Sequence, residues 1–283
     1  MEEKFENSKF MHILLYPISF GFSLVVGIRK KFAKKPIGRY SFFFDRYPAV
    51  AAMRAGAKMH KGVDAIYTYR HKKGESSILE TFWMSARNCQ ALRNRYRMVR
   101  QAIGETIAEH KKNSDENMLI LSLAAGTARS VIESAVGKDY VAVVAVDSSD
   151  EAIADSKKLA EKFEKIDINW HKKDLLAVDS FLDDEKKAHL VEVVGLFEYL
   201  DEDQIEKFLN VVKRNMHNAG SLIVSQIHPN SESSIVEKIV DWPLNHRQKR
   251  FCCGSTVQAA KLRPPVLRRV QSGASPRSGA SLR

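Results

Sequence analysis

The sequence predicts an α/β fold, a doubly wound, mostly parallel sheet with a helical N-terminal section. Three observations carry this reading. From Met118 to Ile227, short apolar runs alternate with amphipathic stretches. The first apolar run, Met118 to Leu123, stops at a glycine-containing turn, Ala124-Ala125-Gly126-Thr127-Ala128, and the second, Tyr140 to Val146, ends on an acid, Asp147. Residues 41–115 read mostly as helices rich in Arg, Lys and aromatics. Strands that alternate with helices imply a parallel sheet covered on both faces.

The elements follow in order. Phe10 to Ile28 is a 19-residue stretch without Lys, Arg, Asp or Glu, followed at once by Arg29-Lys30-Lys31 and Lys34-Lys35. At 1.5 Å per residue it reaches roughly 28 Å, the thickness of a hydrocarbon core. The basic flank on its C-terminal side would leave the rest of the chain in the cytoplasm. His12, Pro17, Ser19 and two glycines suit an interfacial helix with its basic end on anionic lipid as well as they suit a span. A buried domain helix is the third reading. Residues 1–40 are thus expected to form a membrane-associated segment, with residues 10–35 on or in the bilayer.

Residues 41–115 read as a helical cap or substrate region. Its clearest helix is Ser85 to His110, with Leu92, Tyr96, Val99, Ile103 and Ile107 at three- and four-residue spacing. Arg93, Arg97 and Arg100 share one face of it, either a solvated face or an anion-facing surface.

The core is expected over 116–242. A strand near 118–123 leads to a helix near 127–136 and a strand near 140–146. Ser148 or Ser149 can cap the next helix, whose apolar stripe includes Ile153, Leu159 and Phe163. A short strand from Asp167 to His171 ends near Asp174. Ala188 to Gly195 reads as a buried strand followed by the turn Leu196-Phe197-Glu198-Tyr199. Asp201 caps a helix with Ile205, Phe208, Leu209, Val212 and Met216 inward and Gly220 just beyond its end. Ser221 to Ile227 is the fifth strand. Residues 243–283 lack acids, are rich in Arg, Ser, Gly and Pro, and read as a disordered basic tail.

The formal net charge of +11 resembles a nucleic-acid signal until it is divided by region. Residues 1–40 carry +5 and residues 243–283 carry +9, so 41–242 carry −3. The basic balance belongs to the ends, and no specific nucleic-acid partner is expected. Cys89, Cys252 and Cys253 form neither a CxxC pair nor a zinc-type spacing, so neither a metal site nor a disulfide framework is expected.

Strand, tight turn, helix, strand, acid is the nucleotide-cradling half of a doubly wound sheet. The turn lets backbone N–H groups approach a ligand, and the carboxylate can accept from both ribose hydroxyls. Four features taken together resemble the class I S-adenosylmethionine-dependent methyltransferases, specifically the poorly characterised bacterial putative methyltransferases. They are the turn SLAAGTAR, Asp147 ending the second strand, KKDLL around Asp174, and VVGLFEYLDEDQ after the fourth strand. The resemblance spans roughly Ser85 to Trp242. The family's acid-x-Gly-x-Gly-x-Gly run is matched here by Ser122, Ala124, Gly126 and Ala128, so only the middle glycine is kept and the acid is replaced.

The resemblance implies a Rossmann-like core that binds S-adenosyl-L-methionine. Ala124, Ala125, Gly126 and Thr127 would line the methionine and ribose. Asp147 would bind the ribose hydroxyls, and Asp174 with Leu175 would flank adenine. Gly195 and Leu196 would lie near the cofactor, with Glu198 and Tyr199 facing the substrate as the catalytic candidates. His171 and His228 share the strand-end position. The implied reaction is methyl transfer to an unidentified small-molecule acceptor, a lipid or amphipathic one being favoured by the membrane-associated segment.

Three other readings stand beside it. A catalytically inactive, membrane-tethered cofactor-binding module is one. The family pattern supplies strands six and seven from a hairpin after the fifth strand, and nothing beyond Trp242 reads as one. A nicotinamide-dependent oxidoreductase would want Gly-x-Gly-x-x-Gly, and Ala124, Gly126 and Arg129 miss two of the three. A basic-tail nucleic-acid binder is the third.

Overall fold

The structure, a computed structural model, describes residues 59–70, 78–182, 185–227, 233–238, 242–245, 256–261 and 267–269, together with positions 17, 21, 24, 28, 51–53 and 56. Most of the Phe10–Ile28 stretch lies outside the described residues. No helix among the described residues is long and apolar enough to cross a membrane.

Five parallel strands form the centre: β1 (Met118–Leu123), β2 (Val141–Asp147), β3 (Asp167–Lys172), β4 (Ala188–Val194) and β5 (Met216–Gln226). The sheet order β3-β2-β1-β4-β5 reverses at β1, whose neighbours are β2 and β4. Ligands of open α/β sheets bind at this kind of reversal, beyond the strand C-termini. The order bears out the doubly wound, mostly parallel sheet that the sequence predicts.

The helices are α1 (His60–Thr68), α2 (Ile78–Met84), α3 (Arg87–Asn113), α4 (Arg129–Ala135), α5 (Asp150–Ala160), α6 (Glu202–Asn215) and α7 (Ser233–Lys238). One sheet face, with Leu121, Leu123, Val191, Val193 and Leu222, packs on Ile205, Phe208 and Val212 of α6. The other face, with Ile120, Val143, Leu190 and Ile223, packs on Val99, Ile103 and Ile107 of α3 and Val131 of α4. Each of these buried Leu, Ile and Val side chains contributes about 1.5–3 kcal/mol, so the central strands are fixed from both sides. A third cluster joins Ile66 and Tyr67 of α1, Trp83 and Met84 of α2 and Leu92 and Tyr96 of α3 to Ile227 and Trp242. The helical section therefore shares a core with the end of the sheet.

Local chemistry sets the helix starts. The Ser149 hydroxyl accepts from the Ala152 N–H at 3.2 Å and caps α5. Asp201 and Gln204 form a reciprocal capping box at α6.

Two expectations are corrected here. Gly220 does not end a helix. The helix α6 stops at Asn215, and Met216, expected on its inward face, opens β5. The register between β4 and β5 shifts between Ala188 and Leu190, and Gly220 lies within the irregular start of β5. A Cβ there would stand 2.9 Å from the His217 oxygen and 3.0 Å from the Ala188 oxygen, so the glycine serves close backbone approach.

The second correction concerns the tail. Thr256–Lys261 (β6) pairs antiparallel with β5, and Leu267–Arg269 (β7) pairs antiparallel with β6, giving seven strands in the order β3-β2-β1-β4-β5-β6-β7. Strands six and seven are thus present where disorder was expected. The strand β6 thereby pairs the edge of β5 that would otherwise be left open.

Candidate functional site

A cavity of about 430 Å³ opens beyond the C-termini of β1, β2 and β4, walled by α1 and α3 among other elements. Its floor begins with the turn after β1. Ala124, Gly126 and Ala128 all have left-handed backbones, with φ of 52°, 54° and 51°. These are the positions that the sequence matches to the family's glycines, and two of them are alanines held in the left-handed region that favours glycine.

Asp147 closes the turn. Its Oδ2 accepts from the Gly126 N–H at 2.8 Å and its Oδ1 from the Ser149 N–H at 2.9 Å. Each carboxylate oxygen has a second lone-pair direction, so both can still accept from a hydroxyl.

The helix α1 lies across this turn. A Cβ on Gly126 would stand 3.2 Å from the His60 Cβ. Asp64 accepts from Arg129 Nε at 2.7 Å and Nη2 at 3.0 Å, and from the Thr127 hydroxyl at 3.3 Å. His60 Nε2 meets Asp155 of α5 at 3.0 Å, and Lys61 pairs with Glu151. Arg129 reaches on to Glu133 at 3.2 Å, which also pairs with Arg100 at 3.1 Å and receives the Tyr96 hydroxyl. Burial first, then the Glu133 contact, pushes the Tyr96 phenol up to about 12.

The opposite wall is a buried polar group. Arg95 donates through Nε and Nη2 to the Tyr67 hydroxyl at 3.1 and 2.9 Å and through Nη1 to Glu198 Oε1 at 3.2 Å. The guanidinium passes beneath Gly195, where a Cβ would stand 3.4 Å from two of its nitrogens. Gly195 holds φ at 84°, a left-handed value that a side chain would strain. Burial opposes the Arg95 charge, but Tyr67 and Glu198 outweigh it and hold its pKa above the usual value. Glu198 Oε1 also accepts from the Ile227 N–H at 3.2 Å, and buried Oε2 has no hydrogen-bond partner among the described residues. Tyr199 accepts from Trp242 Nε1 at 2.6 Å. Burial, partly offset by that bond, raises the Tyr199 pKa, so it is a neutral phenol.

The cavity thus brings together Ala124, Ala125, Gly126, Thr127, Asp147, Gly195, Leu196, Glu198 and Tyr199. Asp174 and Leu175 stand apart from it. Leu175 is buried in the core over α6, and Asp174 Oδ1 accepts from the Leu176 N–H in a local turn. The polar start of the loop after β3 is satisfied within itself and does not extend over the cavity. His171 is exposed on β3 and does not line the cavity, and His228 lies outside the described residues.

Sequence reasoning missed Asp64, Tyr67, Arg95 and Glu192, all of which line the cavity. The arginine face Arg93, Arg97, Arg100 does not turn to it. Arg93 is buried and donates to the Met84 oxygen at 2.7 Å, and Arg97 donates to Asn94. The signal available for Glu192 was an acid inside an apolar run, AHLVEVVG.

The family model described as "Putative methyltransferase" matches residues 52–248. The chain belongs to this putative methyltransferase family. None of the curated proteins compared matches it. Among solved structures, "a possilbe exported protein" from Bordetella parapertussis is similar in fold, with a TM-score of 0.56, 14% identity, and coverage of 71% of this chain and 75% of that one. An S-adenosylmethionine-dependent methyltransferase from Clostridium acetobutylicum ATCC 824 has a TM-score of 0.37 and 19% identity. Its match covers 45% of this chain and half the length of that protein. TehB from Haemophilus influenzae has a TM-score of 0.36 and 15% identity over 46% and 42% of the two chains.

Proposed function

We propose that this family member transfers the methyl group of S-adenosyl-L-methionine to a small, largely apolar acceptor bearing an N–H or O–H group. The observation that carries the reading is Asp147. Its carboxylate stands on the cavity floor at the end of β2 and is held by the N–H groups of Gly126 and Ser149 at 2.8 and 2.9 Å. It can accept from vicinal hydroxyls, while the left-handed turn offers backbone to the rest of the ligand.

The residues present fit the cofactor. A carboxylate at the end of β2, a turn shaped as a glycine turn, and a left-handed Gly195 over the Arg95 guanidinium together leave a cavity of about 430 Å³. When bound, the cofactor supplies a methyl group already activated on a sulfonium. The protein's part is then alignment, exclusion of water, and removal of one proton.

Glu198 suits the last role. Arg95 and the Ile227 N–H hold its Oε1, and its Oε2, on a residue that lines the cavity, has no hydrogen-bond partner among the described residues. Oε2 takes the proton that the acceptor's heteroatom releases as that heteroatom gains the methyl and the C–S bonding pair stays on sulfur. Tyr199, a phenol tied to Trp242, orients the acceptor by donating its hydrogen. Met59, Val63, Leu196, Ile227 and Leu244 make much of the remaining wall apolar, which favours an apolar or amphipathic acceptor. In the same proposal, residues 10–35 bring the chain to a membrane, where such acceptors collect.

Calorimetric titration of S-adenosylmethionine into the full chain tests the reading. Micromolar binding that is lost in Asp147→Ala is the expected result. A folded wild-type protein that binds none would overturn it.

A further inference from the structure

Glu192 takes no part in the scheme above, although it lines the cavity. It lies inside β4 between Val191 and Val193, is 5% exposed, and shares its register with Ser122 of β1. The Ser122 hydroxyl donates to Glu192 Oε2 at 2.6 Å. Ser122 is the residue that stands at the end of β1 where the sequence pattern leads one to look for an acid. The carboxylate is one strand over, on the same face of the sheet.

Among the described residues, neutral and charged groups meet Glu192 from four elements. From β1 comes the neutral Ser122. From α1 comes Tyr67, which burial keeps a phenol. The β5 register partner is Ile223, which is apolar. From α3 comes Arg95, whose three donating nitrogens serve Tyr67 and Glu198. Two buried carboxylates, Glu192 and Glu198, therefore share one guanidinium, and the guanidinium is hydrogen-bonded to Glu198. A buried carboxylate with only a hydroxyl for a partner either keeps a proton or awaits a cation. Burial pushes Glu192 up to about 7, against the opposing pull of Ser122 and Arg95.

We propose that Glu192 is the receptor for the ammonium group at the amino-acid end of the cofactor. The inference rests on the S-adenosylmethionine reading above. Of the cofactor's two cationic groups, only the ammonium has N–H hydrogens to give a carboxylate, whereas the sulfonium has none. On binding, Glu192 gives up its proton to solvent and meets the ammonium as a carboxylate, so the buried pair of acids gains a second cation. The neutral ribose hydroxyls are left to Asp147.

The test is calorimetry at pH 7 on the full chain with three ligands. S-adenosylmethionine carries ammonium and sulfonium, S-adenosylhomocysteine carries the ammonium alone, and 5′-methylthioadenosine carries neither. Glu192→Gln keeps the side-chain shape and the Ser122 partner. It should weaken the first two ligands by about 10- to 100-fold and leave the third unchanged. Repeating the wild-type titrations in buffers of different ionisation enthalpy should show on the order of half a proton released with the first two ligands and none with the third.

Unchanged S-adenosylmethionine affinity in Glu192→Gln, or no proton release by the wild type, would overturn the assignment and leave the cofactor reading standing. A loss confined to S-adenosylmethionine would overturn it in favour of the sulfonium, and an equal loss for all three would show a merely structural role. A folded wild type that binds none of the three would remove the cofactor reading itself.

Discussion

Asp64 and Arg129 form a two-pronged ion pair, with Nε and Nη2 at 2.7 and 3.0 Å from the two carboxylate oxygens, and it pins α1 to the residue that opens α4. Both side chains are largely shielded, at 25% and 16% exposure. Parallel charge-assisted bonds of this kind hold direction as well as distance. Asp64→Asn should lower stability by about 1–2 kcal/mol in urea unfolding, and Arg129→Lys should lose a similar amount although the charge is kept. An unchanged midpoint in both would show that the pair contributes nothing.

The left-handed alanines carry a cost of roughly 1–2 kcal/mol each. Ala124→Gly should therefore raise stability by up to about 1 kcal/mol, the relief exceeding the added chain entropy. Ala128→Gly should gain less, because its methyl is buried against Ile132, Ala145 and Leu159. Thermal unfolding of the two variants side by side checks the order.

Glu192 should make the protein less stable as pH rises. Burial lifts its folded pKa to about 7 from an ordinary 4.5. The folded state then binds the extra proton, so this contribution is full below 4.5 and is lost as pH climbs through about 7. By pH 8 the deficit is up to about 3 kcal/mol. Glu192→Gln should be more stable than the wild type at pH 8 and nearly equal at pH 4, read from urea midpoints. A buried acid that weakens the fold is the pattern of a residue kept for a ligand.

His189 has the opposite sign. Burial first, then His110 and His217, lowers its pKa below 6.5. It stacks against His217 at 5.4 Å between ring centroids and meets His110 edge-on at 4.7 Å, while its Nδ1 accepts from the Leu119 N–H at 3.0 Å. The unfolded chain takes the proton first, so this contribution is complete above 6.5 and falls away as pH drops below it. His189→Asn should flatten the stability profile below pH 6.5.

The parts of the fold legible in the sequence were those fixed by local order along the chain. Strands β1, β2 and β4 are buried or half-buried on both faces and read as apolar runs, and Ser149 and Asp201 announce their helices. The start of β5 was not legible, because Met216 fits a helical stripe and only the pairing with Ala188 makes it a strand. The strands β6 and β7 lie in a stretch rich in Arg, Ser, Gly and Pro, and their pairing is set across the sheet by β5 rather than by local order along the chain. The site divides in the same way. Asp147 and the turn belong to one continuous stretch of chain. Asp64, Arg95 and Glu192 are brought to the cavity from 83 residues before Asp147 to 45 after it, so no spacing rule reaches them.

Met59, His60, Val63, Asp64 and Tyr67, at or just before α1, wall a hollow whose floor belongs to the sheet. A molecule lodged there is gripped by both halves at once and takes the place of core. The ligand and the helix then become each other's clasp. Protease sites around α1 should vanish and reappear with ligand concentration, long before any change is seen in the strands beneath.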